Sequence, residues 1–204
     1  MANAPRQLKE TPSQTAGPYV HIGCTPNFAG VGVYPADLGA SMKIGPANGT
    51  EITIRGTVFD GTGTPLRDAL VEIWQADAEG FINSPVDARG GTDPNFTGFG
   101  RTPVDLETGA FAFETVKPVR VPYPDGRLQA PHITFWIVAR GINIGLHTRM
   151  YFADEPEANA DDPVLMRIEP QDRVPTLLAM REGADQYRFD IRLQGDNETI
   201  FFDV

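Results

Sequence analysis

The sequence has 204 residues, of which 41% are hydrophobic and 22% are charged, and its formal net charge is −10 at pH 7. This length and composition fit one globular domain and exclude wholesale disorder, while the 21 glycines and 18 prolines favour an all-β protein with many turns. Because acidic residues outnumber basic ones, the chain is not expected to form the basic surface that a nucleic-acid-binding protein needs. No apolar run is long enough to span a membrane.

The cysteine content and the first ten residues indicate in which cellular compartment we expect the protein. Cys24 is the single cysteine, which excludes an intrachain disulfide framework and a cysteine-based zinc site. Residues 1–10 contain no apolar core of a secretory signal. We therefore expect a cytoplasmic protein.

In the N-terminal part of the chain, the apolar residues follow neither the period of a helix nor that of a strand. Residues 1–48 are rich in proline and glycine and are predicted to form an extended arm with loops. Because long irregular segments in compact proteins tend to be functional or to lie on a partner, we expect this arm to contact another chain. Residues 49–204 are predicted to form a single β-sandwich domain.

Alternating or β-branched apolar residues predict the strands of that domain. The strands are expected around 52–58, 70–74, 110–116, 132–139, 146–152, 187–193 and 199–202. Together they predict an all-β fold, an antiparallel β-sandwich of Ig-like or transthyretin-like type with long loops.

The segments between these strands are predicted to be irregular, with one exception. Residues 78–101 contain so many glycines and prolines that we expect no regular element there, and 119–131 is a proline-rich loop. Residues 162–167 are predicted to form a short helix, with Asp162 as its N-cap and Pro163 at its first position.

Histidine is the main candidate for metal chemistry, because a metal site needs about three or four protein ligands. His132 begins the strongest strand, but the residue two positions on, which shares its face, is the poor ligand Thr134. The remaining histidines are His21 and His147. A hydrogen-bonded structural role is the simpler interpretation of each. A serine nucleophile is not supported, because no G-x-S-x-G turn is present.

Several motifs are too specific for a generic β-sandwich. They are WQADAEG at 74–80, DPNFTGFGRT at 93–102, APHITFWIVARGIN at 130–143, LHTRMYF at 146–152 and YRFDIRLQG at 187–195. Together these motifs resemble the intradiol ring-cleaving dioxygenases. Within that family, TPSQTAGPY at 11–19 and ETIFFDV at 198–204 are similar to the alpha chains of its two-chain members.

The resemblance implies that this chain does not hold the family's metal. In that family a ferric ion is bound by two tyrosines and two histidines. Ile82 stands where the first tyrosine is expected, Thr134 replaces the second histidine, and His132 is retained. Tyr123 is a candidate for the second tyrosine in a shortened loop. The expected cofactor, Fe(III), would therefore be held by a related beta chain.

The resemblance also implies a supporting role in a shared substrate site. We expect Thr15, Gly17, Pro18, Tyr19 and Arg140 to bind substrate, because Gly-Pro allows close backbone approach and arginine offers a positive fork to a carboxylate. The implied reaction is cleavage of 3,4-dihydroxybenzoate by O2 to 3-carboxy-cis,cis-muconate in a higher hetero-oligomer.

Three alternatives remain open from the sequence. Tyr19 could only pack, and Arg140 could only pair with an aspartate. The chain could be a transthyretin-like binding or scaffolding module with no enzymatic complex. It could also be a single-chain dioxygenase with a diverged site, which Ile82 and Thr134 argue against.

Overall fold

The computed structural model describes residues 14–143 and 145–203, and most of its regular elements are strands. The strands are β1 (Glu51–Phe59), β2 (Leu70–Trp74), β3 (Phe99–Pro103), β4 (Ala110–Val116), β5 (His132–Val138), β6 (Leu146–Phe152), β7 (Leu178–Arg181), β8 (Gln186–Arg188) and β9 (Ile191–Arg192). The helices are α1 (Pro18–Cys24), α2 (Pro156–Ala160) and two 3₁₀ helices, Leu165–Arg167 and Gln171–Leu177. Within these described ranges, no helix is long and apolar enough to cross a lipid bilayer.

The strands form one sheet path, in the order β3-β2-β5-β6-β7-β8-β1-β4, with β9 beside β1. Most neighbours are antiparallel, as predicted, but β6–β7, β1–β8 and β1–β9 are parallel. Parallel neighbours need a long crossover connection. The segment between β6 and β7, which carries α2 and both 3₁₀ helices, provides one. The sheet is therefore mixed rather than purely antiparallel.

The two ends of this path approach each other around a buried aromatic core, so the sheet is nearly closed. Strands β3 and β4 are in contact although they are the end strands. The Phe135 ring of β5 packs on Phe111 and Phe113 of β4 and on Phe189, with ring centroids 5.2–6.4 Å apart. Burial of these large rings supplies much of the hydrophobic free energy of folding.

The prediction that 78–101 contains no regular element is wrong at its end, where β3 begins. Gly98 has φ of +71°, a conformation that favours glycine. At Gly100 a Cβ atom would lie 3.0 Å from Ile73, Met42 and Phe113. These two glycines are therefore needed to bring β3 against the core, and they do not signal a loop.

The predicted helix at 162–167 is only partly correct. Asp162 accepts hydrogen bonds from the backbone N–H groups of Val164 (2.8 Å) and Leu165 (2.9 Å), as a capping side chain does. The regular part is nevertheless a single 3₁₀ turn. Helices α1 and α2 were not predicted.

The C-terminal strand predictions are also corrected in detail. The alternating segment 187–193 is divided into β8 and β9, because Asp190 turns its carboxylate to the N–H of Thr57 at 3.0 Å. A Cβ at Gly56 would collide with the carbonyl oxygen of Phe189 at this break. In 199–202, the described pairing is an isolated bridge between Phe202 and His147.

The described part of the arm, residues 14–48, is more ordered than an extended segment. It begins with α1, and Asp37 then accepts hydrogen bonds from the backbone N–H groups of Asn27 (2.8 Å) and Phe28 (3.0 Å). Residues 1–13, which include the start of TPSQTAGPY, lie outside the described residues. The division into an arm at 1–48 and a domain at 49–204 stays a prediction.

Candidate functional site

Three of the predicted metal positions meet on the outer face of the sheet. His132 and Thr134 of β5, Ile82 and Trp74 line one cleft of about 120 Å³. We call it the strand-face cleft. His132 and Thr134 share this face because strand side chains alternate, and Trp74 of β2 pairs with Thr134 across the sheet.

Buried Asp77 explains how the WQADAEG motif brings Ile82 to this cleft. One carboxylate oxygen, Oδ1, accepts the backbone N–H groups of Glu79 and Phe81, each at 2.9 Å, and Oδ2 accepts the N–H of Asp93 at 3.0 Å. Asp77 is 4% exposed, so these bonds are shielded from water. The carboxylate therefore fixes the loop whose next residue is Ile82.

The imidazole of His132 is held neutral. Its Nδ1 lies 2.8 Å from the carbonyl oxygen of Ala130; since a carbonyl only accepts, Nδ1 carries the hydrogen and Nε2 the lone pair. Burial and the nearby Arg149 guanidinium lower the pKa of His132 to about 4. Arg149 itself donates to Oε1 of Gln129 at 2.9 Å.

Tyr123 does not join this set. Its hydroxyl accepts a hydrogen bond of 2.8 Å from Arg167, whose guanidinium also lies over the ring. Val119 and Val121, from the same loop, line the strand-face cleft instead. Tyr123 is therefore not a candidate for a lost phenolate ligand of this cleft.

The strand-face cleft does not fit an Fe(III) ion. Ferric iron favours anionic oxygen ligands together with imidazole, whereas the lining residues offer the His132 imidazole among aliphatic, indole, amide and hydroxyl groups. No group of three or more histidine, cysteine, aspartate or glutamate side chains suited to a metal occurs within 14–143 and 145–203.

Three of the five predicted substrate-binding residues line a second cleft, formed between the arm and the end of β5. Ala16, Gly17, Pro18, His21, Asp68 and Arg140 line this cleft of about 190 Å³. We call it the arm cleft. Thr15 fastens the arm there, since its hydroxyl accepts the N–H of Gly141 at 2.8 Å.

Arg140 and Tyr19 take different positions at the arm cleft. The Nε of Arg140 donates to Oδ2 of Asp68 at 2.9 Å, and the arginine side chain is 79% exposed. Tyr19 is 83% exposed and is not among the lining residues. The aspartate pairing anticipated for Arg140 is thus present, while Tyr19 is not packed against the part of the chain that the structure describes.

His21 was not predicted as a site residue, although it lines the arm cleft. Its Nε2 lies 3.1 Å from the carbonyl oxygen of Asp68. A sequence signal that could have pointed to His21 is its position two residues after the predicted site residue Tyr19. The helix α1, which carries both residues, was not predicted.

The two clefts lie at opposite ends of β5. His132 opens the strand and Arg140 follows its end, a separation on the order of 25 Å at about 3.3 Å per residue. The predicted substrate residues therefore do not face the predicted metal positions of this chain.

Comparison with known proteins assigns the chain to a family. A family model described as Dioxygenase matches residues 24–195. The chain belongs to the intradiol dioxygenase family. It is 46% identical over 199 residues to the protocatechuate 3,4-dioxygenase alpha chain of Pseudomonas putida, covering 96% of this chain and 97% of that relative.

Two further relatives extend this result. The protocatechuate 3,4-dioxygenase beta chain of Burkholderia cepacia is 35% identical over 168 residues, covering 78% of this chain and 71% of the relative. The crystal structure of 3-chlorocatechol 1,2-dioxygenase from Rhodococcus opacus 1CP has a TM-score of 0.59 at 23% identity, over 76% of this chain and 65% of that chain. The resemblance inferred from the motifs is confirmed, and the fold is that of the intradiol dioxygenases.

Proposed function

We propose that this chain is the non-iron-binding alpha subunit of a protocatechuate 3,4-dioxygenase. The complex cleaves 3,4-dihydroxybenzoate with O2 to 3-carboxy-cis,cis-muconate, and the beta chain holds the Fe(III). The observation that carries this proposal is the strand-face cleft, where Ile82 and Thr134 stand at predicted ligand positions and the lining offers no anionic oxygen, in a chain that is 46% identical to an alpha chain.

The arm cleft supports a role in the substrate site that the two chains share. We propose that Thr15, Gly17, Pro18, Tyr19 and Arg140 form one wall of that site. A complete small-molecule pocket typically has about 300–1,000 Å³, so a cleft of about 190 Å³ is consistent with one wall completed by a partner.

Gly17 gives independent support for an outside neighbour. Its φ of −125° is accessible to any residue, and within the described part of the chain no atom lies within 4 Å of a Cβ built there. The fold of this chain therefore does not demand glycine at position 17. Close approach of substrate or of the beta chain would account for it.

Arg140 supplies the positive charge that an anionic substrate needs in a chain of charge −10. Asp68 engages its Nε, and among the described residues no acceptor is bonded to its terminal nitrogens. These N–H groups are available to a carboxylate, and Asp68 fixes the direction of the guanidinium.

The arm also has the surface expected of a subunit contact. Tyr19, Val33, Tyr34, Leu38 and Ile44 are 59–83% exposed, and a concentration of exposed apolar side chains marks an interaction surface. We propose that residues 1–48 contact the beta chain in a cytoplasmic hetero-oligomer. We further propose that the two halves of the sheet correspond to the two layers of a β-sandwich.

Expression of the chain alone and together with its beta chain tests the proposed function. We expect the lone chain to be colourless and free of iron, and the co-purified complex to contain iron and to consume O2 with 3,4-dihydroxybenzoate. Iron is measured by mass spectrometry and oxygen with an electrode. Stoichiometric iron in the lone chain, or a complex with iron but without ring cleavage, would contradict the proposal.

A further inference from the structure

One residue that lines the arm cleft carries a polar atom that has no hydrogen-bond partner among the described residues. Nδ1 of His21 is buried and has no hydrogen-bond partner among residues 14–143 and 145–203. A buried polar atom without a partner destabilises the fold, so such an atom calls for an explanation. It lies on a ring that lines the cleft with Gly17, Pro18 and Arg140.

The other ring nitrogen fixes the chemistry of this atom. The Asp68 carbonyl oxygen, 3.1 Å from Nε2, can only accept, so Nε2 carries a hydrogen. In the neutral ring Nδ1 is therefore an acceptor, and in the imidazolium it is a donor. Phe28 packs beside the ring with centroids 5.9 Å apart and offers no hydrogen bond to Nδ1.

Asp68 connects His21 to Arg140. Its backbone carbonyl holds Nε2 of His21, and its carboxylate holds Nε of Arg140 at 2.9 Å. One residue thus directs two side chains toward the same cleft. The atoms that Asp68 leaves free are Nδ1 of the imidazole and the terminal nitrogens of the guanidinium, on two side chains that line the cleft.

We propose that Nδ1 of His21 makes a second polar contact, beside Arg140, to the carboxylate-bearing end of the aromatic substrate. The contact is direct when the ring is protonated, and runs through a water molecule that donates to both Nδ1 and the carboxylate when the ring is neutral. His21 is then a specificity-determining residue, since a catechol without a carboxylate leaves Nδ1 unpaired. This inference rests on the proposed function.

Two substitutions separate this contact from a role in packing. Glutamine places an amide near the position of Nε2, so His21→Gln keeps the bond to Asp68 and removes Nδ1. Asparagine places an amide near the position of Nδ1, so His21→Asn keeps a polar atom in the cleft and removes the bond to Asp68. Both variants are tested in the complex with the beta chain, with thermal unfolding as a check of folding.

The inference predicts that His21→Gln raises KM for 3,4-dihydroxybenzoate about tenfold and changes KM for catechol much less. His21→Asn should retain more of the discrimination. The dissociation constant of 3,4-dihydroxybenzoate, measured by calorimetry without O2, should follow the same order. Arg140→Ala should shift the two substrates in the same direction as His21→Gln.

The opposite pattern would overturn the inference. If His21→Asn is the more damaging variant, or if both substrates lose equally, His21 acts by holding α1 on Asp68. A wild-type complex that cleaves 3,4-dihydroxybenzoate while His21→Gln is unchanged refutes this inference alone. A wild-type complex that neither binds nor cleaves that substrate refutes the proposed function, and the inference with it.

Discussion

At the scale of single residues, His132 stands at a predicted metal position, and its contacts in the structure are with the fold itself. Its Nδ1–H donates to Ala130, and its ring packs 5.6 Å from the ring of Tyr151. Burial raises the pKa of Tyr151, which donates to buried Asp162 at 3.4 Å. The histidine thus packs beside a buried tyrosine–aspartate pair, while burial and the Arg149 guanidinium favour its uncharged form.

Because of this environment, the stability of the folded chain depends on the protonation of His132 in mildly acidic solution. The pKa of His132 is about 4 in the folded chain and about 6.5 in the unfolded chain, so between these values the unfolded chain binds more protons. The free energy of unfolding therefore falls as the pH drops from about 6.5 to 4, by up to about 3 kcal/mol from this group.

Urea unfolding of the purified chain at pH 7.5 and pH 4.5 measures this effect. His132→Asn keeps a donor near Nδ1 and removes the titrating ring, so its loss of stability between the two pH values should be smaller than that of the unsubstituted chain. His147→Asn on β6 is the matched control. Equal losses in His132→Asn and the unsubstituted chain would show that His132 does not set this dependence.

The residues of the site differ in how far the sequence could predict them. Ile82, His132 and Thr134 follow from motif spacing, and the structure brings all three into one cleft. Tyr123, which the sequence left open, lies outside this cleft with its hydroxyl bonded to Arg167. His21 was missed because its importance comes from an unpartnered atom, and hydrogen-bond partners across 47 positions of sequence cannot be counted without coordinates.

At the scale of elements, periodicity predicted the strands that alternate clearly and failed where backbones approach closely. Strands β1, β2, β4, β5 and β6 follow from alternating or β-branched residues. Strand β3 does not, because Gly98 and Gly100 are imposed by a left-handed turn and by contact with the core. Strand β7 has only four residues, too short for a period to emerge.

The contribution of the loop that follows β2 can be tested by substitution of Asp77. Asp77 accepts three backbone N–H groups while 4% exposed. Asp77→Ala should lower the free energy of unfolding by roughly 1–3 kcal/mol, since the donors lose a buried acceptor. Denaturant titration measures the change, and Glu79→Ala, at an exposed position of the same loop, is the matched control.

A second readout ties this loop to the strand-face cleft. Trp74 lines that cleft together with Ile82, so loosening the loop should alter the tryptophan emission of the folded chain. If Asp77→Ala unfolds like Glu79→Ala and its emission is unchanged, the carboxylate does not position the loop.

At the scale of the whole molecule, the arm offers apolar surface that residues 14–143 and 145–203 do not cover. Tyr34 and Leu38 are 63% and 70% exposed, on a loop tied down by backbone bonds to Asp37. The double variant Tyr34→Ser, Leu38→Ser should weaken association with the beta chain. The melting temperature of the lone chain should stay the same, because neither side chain supports the core.

Size-exclusion chromatography of the co-expressed chains at several concentrations measures this effect. Leu106→Ser, at an exposed apolar position outside the arm with 59% exposure, is the matched control. A complex that survives dilution equally well in the double variant and in the control would exclude this part of the arm from the subunit contact.

The distribution of charge has a consequence for how the complex assembles. Between residues 14 and 48 the only Asp, Glu, Lys or Arg residues are Asp37 and Lys43, in a chain of net charge −10. Encounters through so neutral a surface receive little electrostatic steering, and unsteered protein pairs associate at about 10⁵–10⁶ M⁻¹s⁻¹. Assembly through the proposed arm contact would then be a slow collision step, insensitive to ionic strength. The lifetime of the complex would be governed by how tightly the apolar side chains fit once they have met.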